Sequence, residues 1–308
     1  MQAEELKPVK ILARRIQRAL VGIQFDEAID TKLLEYLGTF SNLITVENMT
    51  LLHVVPRYDV PGKIEEELVM RHKPVNRQEM KEKLLYCAKL YLGGKISKTL
   101  KVQIREGNPL EELLDAAEGL NSGLVVIGQK TGSGHHGITA KNFVRQVWSN
   151  ALLVPEQAQT SLTNILIPVD FSVNSAEALH EAMSLNAALA KKASITLLHT
   201  CEMPANFSTY RFNGTKVQQL ILEERQMAMQ QFVKEHLPKS LRETIKLEVT
   251  THRKQGVARH LVTYAKHHHH DLIVMGVKGH SKAALLLMGS VTEKLLSLVT
   301  ETAVLIVK

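Results

Sequence analysis

Asp271-Leu272-Ile273-Val274-Met275-Gly276 is followed by Val277-Lys278-Gly279 and, after nine further residues, by Gly289-Ser290-Val291. A short apolar run closed by glycine reads as a fully buried strand, and the periodic segment Val291 to Leu298 reads as a helix. Strand, glycine loop and helix therefore follow one another. Outward from this stretch the same grammar repeats. Val-, Ile- and Leu-rich runs at 164 to 169, 194 to 200, 245 to 251, 271 to 276 and 303 to 308 alternate with longer segments of helical period. Ala176, Leu179, Met183, Ala187 and Ala190 share one helical face, and Val217 to Leu237 forms a second, longer helix with mixed charges outside. Strands this uniformly apolar are covered on both faces, so the reading is α/β with a mostly parallel sheet and helices above and below. Right-handed crossovers favour a doubly wound sheet. With strand order 3-2-1-4-5, ligands settle beyond the C-terminal ends of strands 1 and 4. Pro168, Val169 and Asp170 end strand 1, and Met275 and Gly276 end strand 4.

The first half echoes the second. Thr50-Leu51-Leu52-His53 returns as Thr196-Leu197-Leu198-His199, an offset of 146 residues, and Leu124-Val125-Val126-Ile127-Gly128 returns as Leu272 to Gly276, an offset of 148. Gly107 anticipates Gly256, and Ala151 to Val154 anticipates Ala303 to Val307. Two tandem domains are expected, over 1–157 and 158–308. Their final strands are apolar throughout, so an intramolecular pseudo-twofold pair meeting at those strands is expected, with a homodimer left open.

Composition agrees with two cores. The chain has 308 residues with 44% apolar and 22% charged, which removes disordered and fibrous classes. Aromatics at 5% give little for base stacking. Residues 1 to 160 carry 21 Lys and Arg against 19 Asp and Glu, and the remainder 17 against 12. That mild, interspersed excess suits a small anion and not a nucleic acid. Cys87 and Cys201 lie far apart in apolar stretches, so buried free thiols in a reducing compartment are expected rather than a disulfide. Met1 to Lys10 carries Glu4 and Glu5 and lacks the apolar core of a signal peptide, and no 18-residue apolar span occurs, so a soluble cytoplasmic protein with no membrane partner is expected.

A phosphate loop needs positions without a Cβ, so that backbone N–H groups converge on the anion, and it gains from a following helix N-terminus. Gly276 and Gly279 meet the first need. Gly289 and Ser290 meet the second, with Ser290 read as the cap of the helix Val291 to Leu298. Lys278 and Lys282 add charge. The G-x2-G-x9-G-S spacing after strand 4 resembles the nucleotide-binding signature of the universal stress protein family. The Pro-Val-Asp strand end and the Thr-Leu-Leu-His strand strengthen that resemblance, and the whole chain looks like a tandem member. The resemblance implies tandem Rossmann-like folds of the adenine nucleotide alpha hydrolase type. It also implies ATP or another adenine nucleotide as ligand, with or without Mg. Asp170 would lie against the adenosine and Thr200 would line the adenine pocket. Gly276, Gly279, Gly289, Ser290 and Val291 would hold ribose and phosphates, and His280 follows the second glycine as in many relatives.

The first half departs from this pattern. Gln24 stands where Asp170 stands, Thr131 replaces Gly279, and the Gly289-Ser290 pair becomes either Lys141-Asn142 or Gly137-Ile138. Its Gly132 to Gly137 stretch spells G-x-G-x-x-G, but after the fourth strand rather than the first, so a dinucleotide is not expected. The run His267 to His270 reads as a solvated connection without a metal set. His53 and His199 read as partly buried strand residues without a nucleophile beside them. No Walker A sequence occurs. No catalytic residue is assigned. A nucleotide-binding regulatory protein is expected ahead of a slow ATPase or phosphoryl-transfer enzyme, which needs a base and Mg ligands. A scaffold without ligand is the third reading.

Overall fold

The computed structural model describes residues 16–41, 46–57, 76–92, 99–130, 136–202, 214–252, 256–279 and 288–308. They form two compact units, one built on residues 15–156 and the other on 157–308.

In the first unit, β1 (Ile16–Ile23), β2 (Val46–Pro56), β3 (Thr99–Gly107), β4 (Leu124–Gln129) and β5 (Asn150–Pro155) alternate with α1 (Glu27–Ser41), α2 (Arg77–Leu92), α3 (Pro109–Gly119) and α4 (His136–Gln146). The strands pair in parallel in the order β3-β2-β1-β4-β5. The second unit holds β6 (Asn164–Pro168), α5 (Val173–Ala188), β7 (Ser194–Glu202), α6 (Gly214–His236), α7 (Lys239–Arg242), β8 (Ile245–His252), α8 (Val257–His267), β9 (Leu272–Gly276), α9 (Ser290–Leu298) and β10 (Ala303–Val307). Its order, β8-β7-β6-β9-β10, is also parallel throughout. Each sheet thus has the doubly wound 3-2-1-4-5 arrangement that the apolar runs imply.

The central strands are apolar because both faces are covered. Leu272, Ile273 and Val274 are fully buried in the second unit, as are Leu20, Val21 and Val125 in the first. Burying each such side chain stabilises its unit by roughly 1.5–3 kcal/mol. Helix α5 packs on β9, β6 and β10. Its buried face comprises Ala176, Ala178, Leu179, Ala182, Met183 and Leu185. The face read from the sequence is corrected at its end: Ala187 is exposed, and Ala190 lies beyond the helix. A helix wedged onto a sheet buries a broad stripe in its middle turns and leaves its last turn in water.

Polar groups lock the sheet at its N-terminal edge. The Asp271 carboxylate accepts the Thr163 N–H (2.7 Å) and hydroxyl (2.9 Å), the Ser161 hydroxyl (3.1 Å) and the Asn164 N–H (3.1 Å). The four-histidine run is not wholly solvated. His267, His268 and His269 are exposed, whereas His270 is buried. Burial and the His268 charge push its pKa down to about 4. Leu272 draws the chain into the core there, and the preceding residues follow it. Cys201 is buried as expected, but Cys87 is only half-buried, on a helix whose outer face carries Tyr86 and Leu90.

Candidate functional site

Beyond the C-terminal ends of β6 and β9 the second unit opens a cleft of about 290 Å³. Pro168, Val169, Asp170, Thr200, Met275, Gly276, Lys278, Gly279, Gly289, Ser290 and Val291 line it, which brings together every expected site residue but one. His280 lies outside the described residues. The wall is completed by Ser175, Leu198, His199, Val257, Leu261 and Thr292. Of these, Thr292 was legible as a third polar residue in Ser290-Val291-Thr292, and Ser175 as a small residue opening a helix. Val257 and Leu261 carried no signal beyond ordinary helix period.

Asp170 is aimed by the turn that follows β6. Phe171 takes a left-handed backbone, φ 65°, which a bulky residue adopts at a cost of the order of 1 kcal/mol or more. The cost is offset where the Phe171 ring packs on His199 (centroids 4.5 Å) and Phe232 (5.9 Å). Ser172 then caps α5, accepting the Ser175 N–H at 3.2 Å. Its own N–H (3.1 Å) and hydroxyl (2.6 Å) donate to Asp170 Oδ1. The turn turns the carboxylate toward Gly279, where an added Cβ would collide with Oδ2. His199 ties β7 to β6 by its Nδ1, 2.8 Å from the Val169 carbonyl. A carbonyl only accepts, so Nδ1 carries the proton. Burial lowers the ring's pKa and leaves Nε2 an acceptor. His199 is thus a structural latch. Thr200 faces the cleft and is held from behind by Thr250 (2.8 Å), itself 2.9 Å from His260 Nε2.

The three glycines answer different demands. A Cβ on Gly276 would stand 2.6 Å from Asn174 Cβ and 2.7 Å from its carbonyl oxygen, so close packing of α5 on β9 requires that glycine. Gly276→Ala is expected to cost about 2–3 kcal/mol, an overpacking penalty visible as a lowered melting temperature of the ligand-free protein. Gly279 makes room for Asp170. Gly289 is different: φ −62° and ψ 142° suit any residue. Its Cβ would meet Lys278 Cα, the Val277 oxygen and the Gly279 nitrogen at 3.5–3.6 Å, ordinary contact distances. Among the described residues, nothing excludes a side chain at that position.

Ser290 is not the cap the sequence suggested. Gly289 is the N-cap, without a side-chain hydrogen bond, and Ser290 is the first helical residue. The Gly289 N–H donates to the Val277 oxygen (2.9 Å), which pulls the chain into the turn one residue early. The first intrahelical bond runs from the Glu293 N–H to the Gly289 oxygen. The N–H groups of Ser290, Val291 and Thr292 therefore have no carbonyl within the helix, and they carry its positive pole at the cleft. Lys278 also lines the cleft and adds a charge. Burial and that Lys278 charge push Lys308, just beyond β10, down to about 8.

The first unit repeats the latch and loses the site. His53 Nδ1 meets the Ile23 carbonyl at 2.8 Å, and Phe25 is left-handed at φ 60°. This aligns Gln24 with Asp170 and Asp26 with Ser172. Equivalent bonds end the last helices, Val147 N–H to the Phe143 oxygen and Val299 N–H to the Leu295 oxygen. Counting back from them aligns Gly137-Ile138 with Gly289-Ser290 and sets aside Lys141-Asn142. Yet α4 starts at His136, so Gly137 lies inside the helix. Thr131 lies outside the described residues. Lys130, the counterpart of Lys278, is paired with Asp26 at 3.0 Å.

Residues 162–308 match the model of the universal stress protein family. The match spans the second unit and stops at its boundary with the first. Solved structures of similar fold span the chain almost whole. A universal stress protein from Archaeoglobus fulgidus DSM 4304 aligns with TM-score 0.63 at 16% identity, covering 94% of this chain and 98% of that one. A functionally unknown protein from Pseudomonas aeruginosa PAO1 aligns at 0.55 and 15% identity, covering 95% and 92%. A universal stress protein assignment from Pseudomonas aeruginosa UCBPP-PA14 aligns at 0.54 and 16%, covering 95% and 93%. Among curated proteins, none matches the chain at a significant level. No helix among the described residues is long and apolar enough to cross a membrane, and those residues hold no cluster of three metal-binding side chains.

Proposed function

We propose that this chain is a universal stress protein whose second unit binds one adenine nucleotide, ATP in the first instance, and that occupancy regulates a cytoplasmic stress response. The carrying observation is Gly289, a glycine that packing among the described residues does not need, at the positive pole of α9 and facing the cleft. An anion approaching the helix N-terminus there meets backbone N–H groups instead of a side chain. Lys278 supports the phosphate end of this reading. Asp170 and Thr200 would serve the nucleoside end, Asp170 accepting from ribose hydroxyls with Oδ1 already fixed by Ser172. His280 is proposed with the glycine loop by family resemblance alone.

Asp170 is the one carboxylate among the lining residues. An Mg ion arriving with ATP would take most of its ligands from phosphate and water. Among the described residues no second carboxylate lines the cleft to act as base, so turnover is expected to stay below about 1 per second, the lower bound for kinases. Release of nucleotide from gently purified protein, identified by mass spectrometry, tests binding. Calorimetric titration should then give one site per chain. Protein that elutes empty and takes up no adenine nucleotide would leave the scaffold reading, and rapid Mg-dependent phosphate release lost in Asp170→Asn would make it an ATPase.

A further inference from the structure

We propose that the first unit carries a second binding site, for an uncharged and largely apolar ligand without a phosphate. Beyond β1 and β4 lies a cleft of about 340 Å³, larger than its counterpart in the second unit. It persists although Phe143 stands where Leu295 does and Ile29 where Ser175 does, both bulkier choices. Its chemistry is inverted position by position. Val54 replaces Thr200, Ala140 replaces Thr292 and Gln24 replaces Asp170, and all three line the cleft. Leu52, Leu113 and Ile127 keep the apolar wall.

The anion-binding parts are removed or neutralised. Lys130 donates to Asp26 at 3.0 Å, and that ion pair holds the Asp26 carboxyl low. The α4 helix begins earlier than α9 does, so its Gly137 no longer precedes the helix. No charged side chain lines the cleft among the described residues. The polar lining side chains that remain, Gln24 and His53, are uncharged. Gln24 Nε2 gives one of its two hydrogens to the Gly128 carbonyl at 2.8 Å, which fixes the carboxamide with its oxygen as an acceptor. His53 uses its Nδ1 proton on the Ile23 carbonyl, and burial keeps the ring neutral, so Nε2 is again an acceptor. A phosphate or carboxylate entering here would lose its hydration and meet no cation among the described lining residues. An apolar molecule would instead cover a concave hydrocarbon wall, and a single hydroxyl on it would satisfy the Gln24 oxygen or the His53 nitrogen.

The test uses 2-naphthol as the probe on the full chain, followed by fluorescence titration in the presence of saturating ATP. One equivalent should bind, ATP should not displace it, and 2-naphthyl phosphate should bind at least about tenfold more weakly. The triple variant Gln24→Asp, Val54→Thr, Ala140→Thr uses residues that the second unit carries at the same places, and it should weaken the probe about tenfold. Ala140→Phe, which fills the cleft, should abolish binding, with melting curves confirming that both variants are folded. Failure of the wild type to bind one equivalent, displacement by ATP, equal or tighter binding of the phosphate ester, or unchanged affinity in both variants would each overturn the proposal.

Discussion

Gly289→Val is expected to lower adenine-nucleotide affinity by at least about a hundredfold, about 2.7 kcal/mol, with little change in the melting of the ligand-free protein. The backbone at Gly289 already has the extended dihedrals that a β-branched residue prefers. Space for the first carbon exists at 3.5 Å from Lys278 Cα, and Gly289 accepts no side-chain duty as N-cap. The folded chain loses only the modest advantage of glycine over valine at a cap, about 1 kcal/mol or less. The ligand loses far more. Phosphate oxygens that approach the N–H groups of Ser290 and Val291 closely would meet two methyl groups at the mouth of the helix dipole. Titration calorimetry and thermal melting of the same preparation separate the two effects. Gly276→Ala is the reciprocal control, because its Cβ collides with Asn174 inside the fold and should lower stability before any ligand is added. Undiminished binding in Gly289→Val would put the nucleotide elsewhere.

The contrast between these two glycines also marks how far the sequence can be read. The five strands of each sheet, their order and the cleft at the reversal point follow from apolar runs and turn residues, because parallel strands buried on both faces have few other solutions. The spacing of Gly276, Gly279 and Gly289 likewise brought those three residues to one cleft. What spacing could not distinguish was purpose. Gly276 is enforced by a helix crossing and Gly279 by a carboxylate, both through residues distant in sequence, Asn174 and Asp170. The cap assignment at Ser290 failed for a related reason. Serine is the better capping residue in isolation, but the Gly289 N–H bond to Val277 fixes the turn one position earlier, and tertiary geometry overrode local preference. In the first unit the pairing of Lys130 with Asp26 was invisible, since the partners lie 104 residues apart.

The two units are expected to respond to acid in opposite senses. In the first, Asp30 is buried and its pKa is raised to about 6, chiefly by desolvation, although its Oδ1 accepts the Gln24 N–H at 3.0 Å. A carboxyl that titrates higher in the folded state takes up protons on folding, so the stability it contributes is present at low pH and is lost as pH rises through about 6. In the second unit His270 is pushed down to about 4 by burial, its Nδ1 without a hydrogen-bond partner among the described residues. The unfolded chain then binds the proton more tightly, and stability present above about pH 6.5 drains away as pH falls toward 4. Between pH 7 and pH 5 the first unit should gain about 1 kcal/mol from Asp30, and the second should lose about 2 kcal/mol through His270. A global denaturation curve would blur the two, so the measurement is hydrogen exchange resolved by peptide, corrected for intrinsic rates. Protection in β1, β2 and β4 should rise relative to that in β6, β7 and β9. Asp30→Asn should flatten the first response, because asparagine keeps the acceptor oxygen and removes the charge, and it should stabilise the first unit at pH 7. His270→Phe should flatten the second. Parallel responses of the two units, or slopes unchanged in these variants, would show that neither buried group governs the acid behaviour of its unit.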